Sequence, residues 1–477
     1  MTQLFEHTAI NLTAMIRSRH VSAEELMRAT LDRIARLNPA VNAIISLIPP
    51  DQALAMARDS DRHLAENGPR GALHGLPFMV KDLEETKGIV SSFGSPLFAR
   101  NIPAEDSLMV ERLRAAGALI IGKTNVPEFG FGSQSYNPVF GTTLNAYDQS
   151  RTAGGSSGGA AVALAMRLAA LADGSDHGGS LRNPAAFNNV YGFRPSPGRV
   201  PDLKNDRYSL GLPVLGPMAR TIDDLALLFS VQAGPDPRVP VSILQNGADF
   251  ACIQPAAVKG MRIGWLADLD GILPVESGIL SLCTAGLTVL QDLGASVEPA
   301  RLGFPQEAIW KSWRTLRSWA AAFRFGEIFK DESRRNMLKP EIQWEIEQGL
   351  RLSGFEVAAQ IEQRNAWLRH LLVLFQDYDA LVLPSAQVFP FAATQHWPDE
   401  VAGRRMDSYH RWMEVVTPAT LGGLPALSVP VGFNAAGLPM GMQLIGPPGS
   451  DMSILRLAKA YDEATSWPMR QKPALCG

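Results

Sequence analysis

The spacing of apolar residues predicts two helices near the start of the chain. Over 22–37 apolar side chains recur at helical intervals, and Ser22 and Glu25 have the spacing of a capping box. Pro39 is expected to end this helix. A second helix, rich in Ala and Arg, is predicted at about 52–66.

Short apolar strands then alternate with helices through most of the chain. Strands are predicted within 72–82, 118–121, 169–173, 381–385 and 426–433, helices at 106–116, 160–168 and 222–232, and a hairpin with a following strand at 437–448. This alternation is typical of a sheet covered by helices. We therefore expect an α/β fold with a large mixed, mostly parallel β-sheet covered on both faces by α-helices.

Residues 300–375 differ in composition from the rest of the chain. They are charged, contain several Trp residues and follow a helical period. The chain shows no internal repeat and no low-complexity linker. We predict a single domain over 1–477, with N-terminal helices at about 1–66 and a variable helical excursion at about 300–375.

Composition excludes several classes of protein. Of 477 residues, 46% are hydrophobic and 19% are charged, which supplies a large core and excludes a disordered chain. The net charge of −3 offers no electrostatic footprint for nucleic acid or anionic lipid. No segment has the ~18 uncharged apolar residues of a membrane span, and the N-terminus lacks the pattern of a signal peptide. These features predict a cytoplasmic protein.

Cysteine usage agrees with that compartment. Cys252, Cys283 and Cys476 are far apart, as expected in a reducing environment rather than in a disulfide framework. No CxxC or HExxH motif is present. The sequence predicts neither a metal site nor a cofactor.

Two short motifs match families whose context is missing here. Residues 117–124 satisfy the phosphate-loop pattern GxxxxGK[ST], but the four intervening residues are apolar and strand-like, so a buried strand is predicted instead. Residues 154–158 satisfy the nucleophile-elbow pattern GxSxG. The preceding segment is polar and turn-like rather than a buried strand, and His370, His396 and His410 lack a context that supports a triad.

A third pattern is more specific because two glycine-rich, serine-bearing turns flank an apolar segment. The first turn is GGSSGG at 154–159 and the second is GSDHGGS at 174–180. A flexible linker would also be rich in Gly and Ser. However, a linker would not continue into an apolar segment with buried periodicity.

These turns resemble the amidase-signature family of serine hydrolases. The family's signature runs from GGSSGG through GTDxGGS to RxPAxxxGxxGxxP, and its third part resembles this chain at RNPAA (182–186) and GFRP (192–195). Further similar segments are GLPFMVKDLEETKG (75–88), GKTNVPEFGFGS (122–133), GPMARTIDDLALL (216–228) and GLPALSVPVGF with GLPMGMQLIG (423–446). The resemblance covers nearly the whole chain and is weakest at 240–380.

The resemblance implies a catalytic group of three residues. Lys81 would be the base, Ser156 the proton relay and Ser180 the nucleophile, with Ser157 as a supporting hydroxyl. It also implies a cis peptide at Gly155–Ser156. The backbone N–H groups of the turn that contains His177, Gly178, Gly179 and Ser180 would form the oxyanion hole.

The chemistry of these residues is consistent with such roles. A Lys acts as a base only when neutral, and burial at the end of the apolar run before Lys81 would lower its pKa. A serine hydroxyl both donates and accepts, so Ser156 can pass a proton between Ser180 and Lys81. Many family members have Thr or Ile at the position of His177, whose side chain is expected to hydrogen-bond locally, with a catalytic histidine as the alternative. Arg182 is a candidate for ordering the turn through Asp176.

The expected substrate is a small-molecule amide with an apolar or aryl acyl group. Phe131, Phe129 and Tyr136 lie in a glycine-rich loop that lines the acyl pocket in family members, whereas Trp310, Trp313 and Trp319 are expected in the core. Phe131 and Ser157 are the predicted substrate-binding residues. Carbamates, anilides and small lactams stay open, as does a homodimer.

Three other functions are weighed against this one. The A-type glutaminase component of a tRNA-dependent amidotransferase shares the signature, but usually reads GTDTGGSIRQPA where this chain has GSDHGGSLRNPA. A non-enzymatic scaffold is disfavoured by the intact Lys81, Ser156 and Ser180. An α/β-hydrolase triad would instead use Ser156 as the nucleophile.

Overall fold

An eight-stranded mixed sheet lies at the centre of the computed structural model, which describes residues 4–204 and 211–476. The strands, in chain order, are β1 Ile44–Ile45, β2 Pro77–Lys81, β3 Leu119–Thr124, β4 Tyr136–Asn137, β5 Gly141–Thr142, β6 Leu171–Asp176, β7 Tyr191–Arg194, β8 Val214–Ala219, β9 Arg262–Trp265, β10 Ser296–Pro299, β11 Ala380–Pro384, β12 Glu400–Val401, β13 Arg404–Arg405, β14 Ala426–Phe433 and β15 Pro439–Ile445. The large sheet has the order β10-β9-β11-β15-β14-β7-β8-β6.

Helices surround this sheet and form most of the outer layers. They are α1 Ala9–Arg17, α2 Ala23–Val41, α3 Pro50–Asn67, α4 Leu108–Ala115, α5 Gly158–Ala165, α6 Arg182–Phe187, α7 Ile222–Gln232, α8 Ile279–Asp292, α9 Gln306–Lys330, α10 Glu332–Arg335, α11 Pro340–Leu350, α12 Gly354–Leu374, α13 Thr417–Gly422, α14 Asp451–Thr465 and α15 Trp467–Arg470. None of these helices combines the length and apolarity needed to cross a bilayer.

The mixed α/β architecture predicted from the sequence is confirmed, but the predicted majority of parallel pairs is wrong. Only β10–β9 and β9–β11 pair in parallel within the large sheet, and its other neighbours are antiparallel. Parallel strands need long crossovers. Here β14 and β15 are joined by the short turn 434–438, which requires an antiparallel hairpin.

Helices cover both faces of the sheet. A Cβ atom added at Gly441 on β15 would meet Ala186 of α6 at 3.1 Å. The next residue, Met442, lies against Gly286 of α8. Successive side chains of a strand point to opposite faces, so α6 and α8 pack on opposite sides of the sheet.

A second, three-stranded sheet of order β1-β3-β2 lies beside the edge strand β6 of the large sheet. The backbone N–H of Lys81 at the end of β2 donates to the Asp173 side chain on β6 at 2.9 Å. The two sheets therefore meet where β2 ends.

The first predicted helix is present with its capping box, in which Ser22 and Glu25 bond reciprocally, but Pro39 does not end it. The helix continues to Val41, and Asn42 then adopts a left-handed conformation with φ of 50°. Asn tolerates this conformation at a helix terminus. Pro39 lies in the last turn, where its missing N–H removes only one intrahelical hydrogen bond.

The excursion predicted at about 300–375 is helical. It comprises α9 to α12, and α9 packs along both α11 and α12. Trp310 and Trp313 on α9 are buried as expected, whereas Trp319 is 47% exposed.

Candidate active site

Lys81, Ser156 and Ser157 come together at the junction of the two sheets. Lys81 ends β2, and the two serines immediately precede α5, which packs against β6. The Lys81 Nζ atom lies 2.8 Å from the Oγ atoms of both Ser156 and Ser157. Residues that are 75 and 76 positions apart in sequence therefore share one hydrogen-bonded group.

This group is closed off from solvent. Lys81 is 1% exposed, and Ser156 and Ser157 are buried. Burial disfavours the ammonium form and lowers the pKa of Lys81 to about 7, although carboxylates oppose the shift. Lys81 can therefore exist as a neutral amine near neutral pH.

A third hydroxyl, Ser175 on β6, completes the surroundings of the amine. Its Oγ atom lies 2.9 Å from Lys81 Nζ. Sequence reasoning missed both Ser175 and Asp173, which binds the backbone of Lys81. The two residues are two positions apart on one strand and so share a face. The alternation of polar residues within LADGSD (171–176) was the signal that could have identified these two residues.

Close backbone packing holds the turn that carries Ser156. The Gly155–Ser156 peptide is cis, as the resemblance implies. A Cβ atom on Gly155 would come within 3.0–3.2 Å of the backbone of Ser133 and Gln134. Ser133 also donates its hydroxyl to the Gly155 carbonyl at 2.8 Å. Only glycine fits at position 155 without displacing backbone.

The turn with Ser180 is organised by a buried carboxylate. Asp176 accepts hydrogen bonds from the backbone N–H groups of Gly179 (3.0 Å) and Leu181 (3.2 Å). Arg182 binds the same carboxylate through Nε (3.0 Å) and Nη2 (2.9 Å), and Arg194 approaches to 3.3 Å. The direct contacts between Arg182 and Asp176 support the suggestion that Arg182 orders this turn. Burial alone would raise the pKa of Asp176, but the two guanidinium groups hold it well below its usual value.

These contacts alter the predicted set of oxyanion donors. The Gly179 N–H already donates to Asp176, so it is not free for an oxyanion. Within 4–204 and 211–476, no acceptor engages the N–H groups of His177, Gly178 or Ser180. Gly179 instead supplies the positive φ of 88° that turns the chain.

Ser180 is more exposed than Lys81 and Ser156. It is 8% exposed, and its carbonyl accepts a hydrogen bond from the Ser157 N–H at 3.2 Å. That contact joins the two serine-bearing turns.

The histidines do not form a triad. Among the described residues, no histidine or carboxylate hydrogen-bonds to Ser156 or Ser180. His370 contacts the Leu302 carbonyl, His396 stacks on Tyr136, and His410 is buried among aromatic rings. Burial keeps the pKa of His177 well below its usual value, so its side chain is uncharged. Its Nε2 atom is buried without a hydrogen-bond partner in the described chain, so the local bond expected there is not formed by that atom.

The helical excursion packs directly on the Ser180 turn. Trp313 of α9 donates its indole N–H to the His177 carbonyl at 3.0 Å. A Cβ atom on Gly178 would meet the Trp313 ring at 2.8 Å. The segment with the weakest resemblance to the family therefore packs against the turn that carries Ser180.

Aromatic side chains lie close to the group formed by Lys81, Ser156 and Ser157. Phe131 is 6% exposed and makes an edge contact with Phe325 of α9, with ring centroids 5.7 Å apart. The Arg317 guanidinium lies 5.0 Å from the Phe131 ring centroid. Gly130, next to Phe131, faces Ser156, because a Cβ atom there would lie 3.6 Å from its Oγ. The Phe131 loop thus adjoins the serine group.

Residues 117–124 do not form a phosphate loop. Leu119–Thr124 is the buried strand β3, as predicted. Lys123 is fully buried and donates to the Glu84 carbonyl and to Thr86 Oγ1. The described residues include no group of three or more His, Cys, Asp or Glu placed to hold a metal ion.

Comparison with known proteins gives the family. A family model described as Amidase matches residues 25–455. An acylamidase of Rhodococcus erythropolis is 31% identical over 98% of this chain and 97% of its own. The A-type component of the glutamyl-tRNA(Gln) amidotransferase of Acidothermus cellulolyticus is 34% identical over 97% of this chain and 95% of its own.

Solved structures agree in fold. A bacterial aryl acylamidase of the amidase-signature family superposes with a TM-score of 0.90 at 28% identity, covering 98% of this chain and 99% of that one. The family match, the shared fold and the buried Lys–Ser group at the junction of the two sheets lead to one conclusion: the chain belongs to the amidase-signature family and is an amidohydrolase that acts on carbon–nitrogen bonds.

Proposed function

We propose that this enzyme cleaves its amide substrate through a covalent acyl-enzyme on Ser180. The observation that carries the proposal is the buried Lys81 amine 2.8 Å from the Ser156 hydroxyl. Within the described chain Lys81 is the only base that hydrogen-bonds to Ser156, because no histidine or carboxylate bonds to Ser156 or Ser180.

In the acylation step, Ser180 Oγ attacks the carbonyl carbon. Its proton passes to Ser156, whose own proton passes to Lys81 Nζ. The N–H groups of His177, Gly178 and Ser180 bind the oxyanion of the tetrahedral intermediate. Collapse breaks the C–N bond, and Lys81 returns the proton through Ser156 to the leaving amine. The product is an ester on Ser180 and a free amine.

Deacylation uses the same groups with water in place of the amine. Water loses a proton through Ser156 to Lys81 as it attacks the ester. Ser180 regains a proton when the carboxylic acid leaves. Ser157 donates its backbone N–H to the Ser180 carbonyl, and its hydroxyl accepts a hydrogen bond from Lys81. It therefore fixes the position of the Ser180 turn relative to the Lys81 amine.

The substrate class that we propose is an amide with an apolar or aryl acyl group. Trp313 supplies apolar surface against Gly178, two residues before Ser180, and Phe131 follows Gly130, which faces Ser156. Aromatic walls favour an apolar acyl group over a charged one. The resemblance to an acylamidase and to an aryl acylamidase supports this class. Anilides belong to it, and carbamates are a related group to test.

A glutaminase component of an amidotransferase is the second candidate, because the amidotransferase component of Acidothermus cellulolyticus is 34% identical to this chain. Such a component would act within a complex, whereas an acylamidase acts on free small molecules. Co-purification from the native host separates the two: stable association with the other amidotransferase components and turnover of glutamine would support the second candidate. Whether the chain forms a homodimer is measured on the same sample by light scattering.

The test of the proposal is a hydrolysis screen over aryl acyl amides, anilides, carbamates and glutamine. The Ser180→Ala protein serves as the blank. We expect turnover of aryl acyl amides and none of glutamine. Glutamine turnover without aryl amide turnover would replace the first candidate by the second.

A further inference from the structure

Carboxylates surround the Lys81 amine from several elements, and most are already neutralised by cations. On β6, Asp176 is bound by Arg182 and Arg194. After β2, Glu84 pairs with Lys204 at 2.7 Å. These pairs leave little net negative charge to act on Lys81.

Asp173 on β6 differs from them. It is fully buried, and within the described chain its Oδ1 atom accepts only the Lys81 backbone N–H, at 2.9 Å. Its Oδ2 atom is buried and has no hydrogen-bond partner among the described residues. Burying an ionised carboxylate that no cation contacts costs free energy, unless positive charge nearby stabilises it.

Lys123 on β3 is a further buried cation in this region, and its charge, like that of Lys81, lowers the pKa of Asp173. Lys123 donates to the Glu84 carbonyl and Thr86, and its nearest carboxylate is Asp82 at 3.9 Å. Among the groups that oppose the effect of burial on the Lys81 pKa, Asp173 is the strongest.

We propose that Asp173 is a positioning residue that supplies the buried counter-charge for the ammonium that Lys81 becomes during acylation. The inference rests on the proposed function, in which Lys81 takes the proton of Ser180 through Ser156. Asp173 neither touches substrate nor moves the proton. It holds the backbone of Lys81 by one oxygen and stabilises the charged side chain by its field.

The arrangement answers a requirement of the mechanism. A lysine buried without a counter-charge would be neutral but too weak a base to take the proton. Asp173 opposes this effect of burial more than Asp176 and Glu84 do, and with all three carboxylates present the Lys81 pKa is about 7. Burial also raises the pKa of Asp173 itself to about 6, so Asp173 is ionised at the pH at which Lys81 becomes neutral.

The test measures the rate at which a fluorophosphonate labels Ser180, from about pH 5 to about pH 10, in the full-length protein. Asp173→Asn keeps an oxygen for the Lys81 N–H and removes the charge. The Lys81 pKa should fall, so the midpoint of the acidic limb should move about 1 pH unit lower. The rate on the alkaline plateau should fall by up to about tenfold, because the ammonium loses its partner.

Asp224→Asn is the matched control. Asp224 is also buried and also accepts backbone N–H groups, from Ala9 and Ile10, and none of its hydrogen bonds in the described chain goes to Lys81 or its neighbours. Its replacement should leave the midpoint where it is. A folded Asp173→Asn protein whose midpoint equals that of the wild type overturns the inference, even if the plateau is lower.

Two further measurements keep the inference testable if Asp173→Asn does not fold. Asp173→Ser also removes the charge, and its smaller hydroxyl can accept the Lys81 N–H, so the same downward shift is expected. In the wild-type protein, NMR of ¹³C-labelled aspartate carboxyl groups should show Asp173 ionised throughout the active pH range. A protonated Asp173 in that range contradicts the role. By contrast, retained labelling in Lys81→Met would contradict the proposed function itself.

Discussion

The Lys81 amine lies 2.8 Å from the Ser156 hydroxyl, in a site from which both side chains are almost wholly excluded from solvent. Water cannot easily compete for a proton held between these atoms. Exclusion of water also lowers the pKa of Lys81. Burial therefore favours both the neutral form of Lys81 and proton transfer between Lys81 and Ser156.

Ser180 should be the residue that a fluorophosphonate labels. It lies beside backbone N–H groups that no acceptor of the described chain engages and is more exposed than Ser156, which faces Lys81. Mass spectrometry of the digested protein locates the adduct. Ser180→Ala should abolish labelling and amide turnover while leaving the circular dichroism spectrum intact. An adduct on Ser156 or Ser157 in wild-type protein would contradict the assignment.

Lys81→Met should lose most amidase activity, because the relay then ends on a group that accepts no proton. Lys81→Arg should also fail, since a guanidinium stays protonated throughout the working range. In the wild type, kcat/KM should rise with pH through about 7, as the amine becomes neutral. Near-normal turnover by Lys81→Arg would exclude the role of base.

Ser156→Ala should impair alkyl amides by a larger factor than activated esters. An alkyl amine leaves only after protonation, whereas a nitrophenolate leaves as a stable anion. The loss on amides should be about 10²–10⁴-fold, as is typical of general acid–base catalysis. Single-turnover acylation is the quantity to measure. Equal losses on both substrates would limit Ser156 to activating Ser180.

Phe131→Ala should lower kcat/KM for an aryl acyl amide by about tenfold or more, with a smaller effect on an acetyl amide. The reason is the loss of apolar surface beside the acyl group. Ile342→Ala is the matched control, because Ile342 is buried in the same apolar cluster. If both variants change the two substrates alike, Phe131 acts on stability and not on specificity.

Asp176→Asn should destabilise the fold by about 3–5 kcal/mol, because Arg182 and Arg194 would lose their buried counter-charge. Denaturant unfolding measures this change. In the wild type the depressed pKa of Asp176 adds stability at pH values above the unfolded-state pKa of about 3.9. This stability is lost as the pH falls from that value through the lower pKa of the folded state. Arg28→Ala breaks an exposed ion pair with Glu24 and should have a much smaller effect.

Several features followed from the sequence alone because their causes are local. Ser22 and Glu25 are three residues apart, which suffices for a capping box. The apolar run before Lys81 predicts a buried strand, and the structure has one at Pro77–Lys81. The order of the long motifs implied the family, and the family match confirmed it.

Other features depend on contacts between distant segments, and no local pattern encodes them. Antiparallel pairing in most of the large sheet follows from how the strands are ordered in space, which apolar periodicity does not specify. The use of the Gly179 N–H by Asp176 became visible only with the turn folded.

The environment of Lys81 was decided by tertiary structure in the same way. Its neighbours Ser156 and Asp173 are 75 and 92 residues away in sequence. A sequence names the residue that can be a base. Its pKa depends on burial and on the charges around it, and those arise only when the two sheets meet.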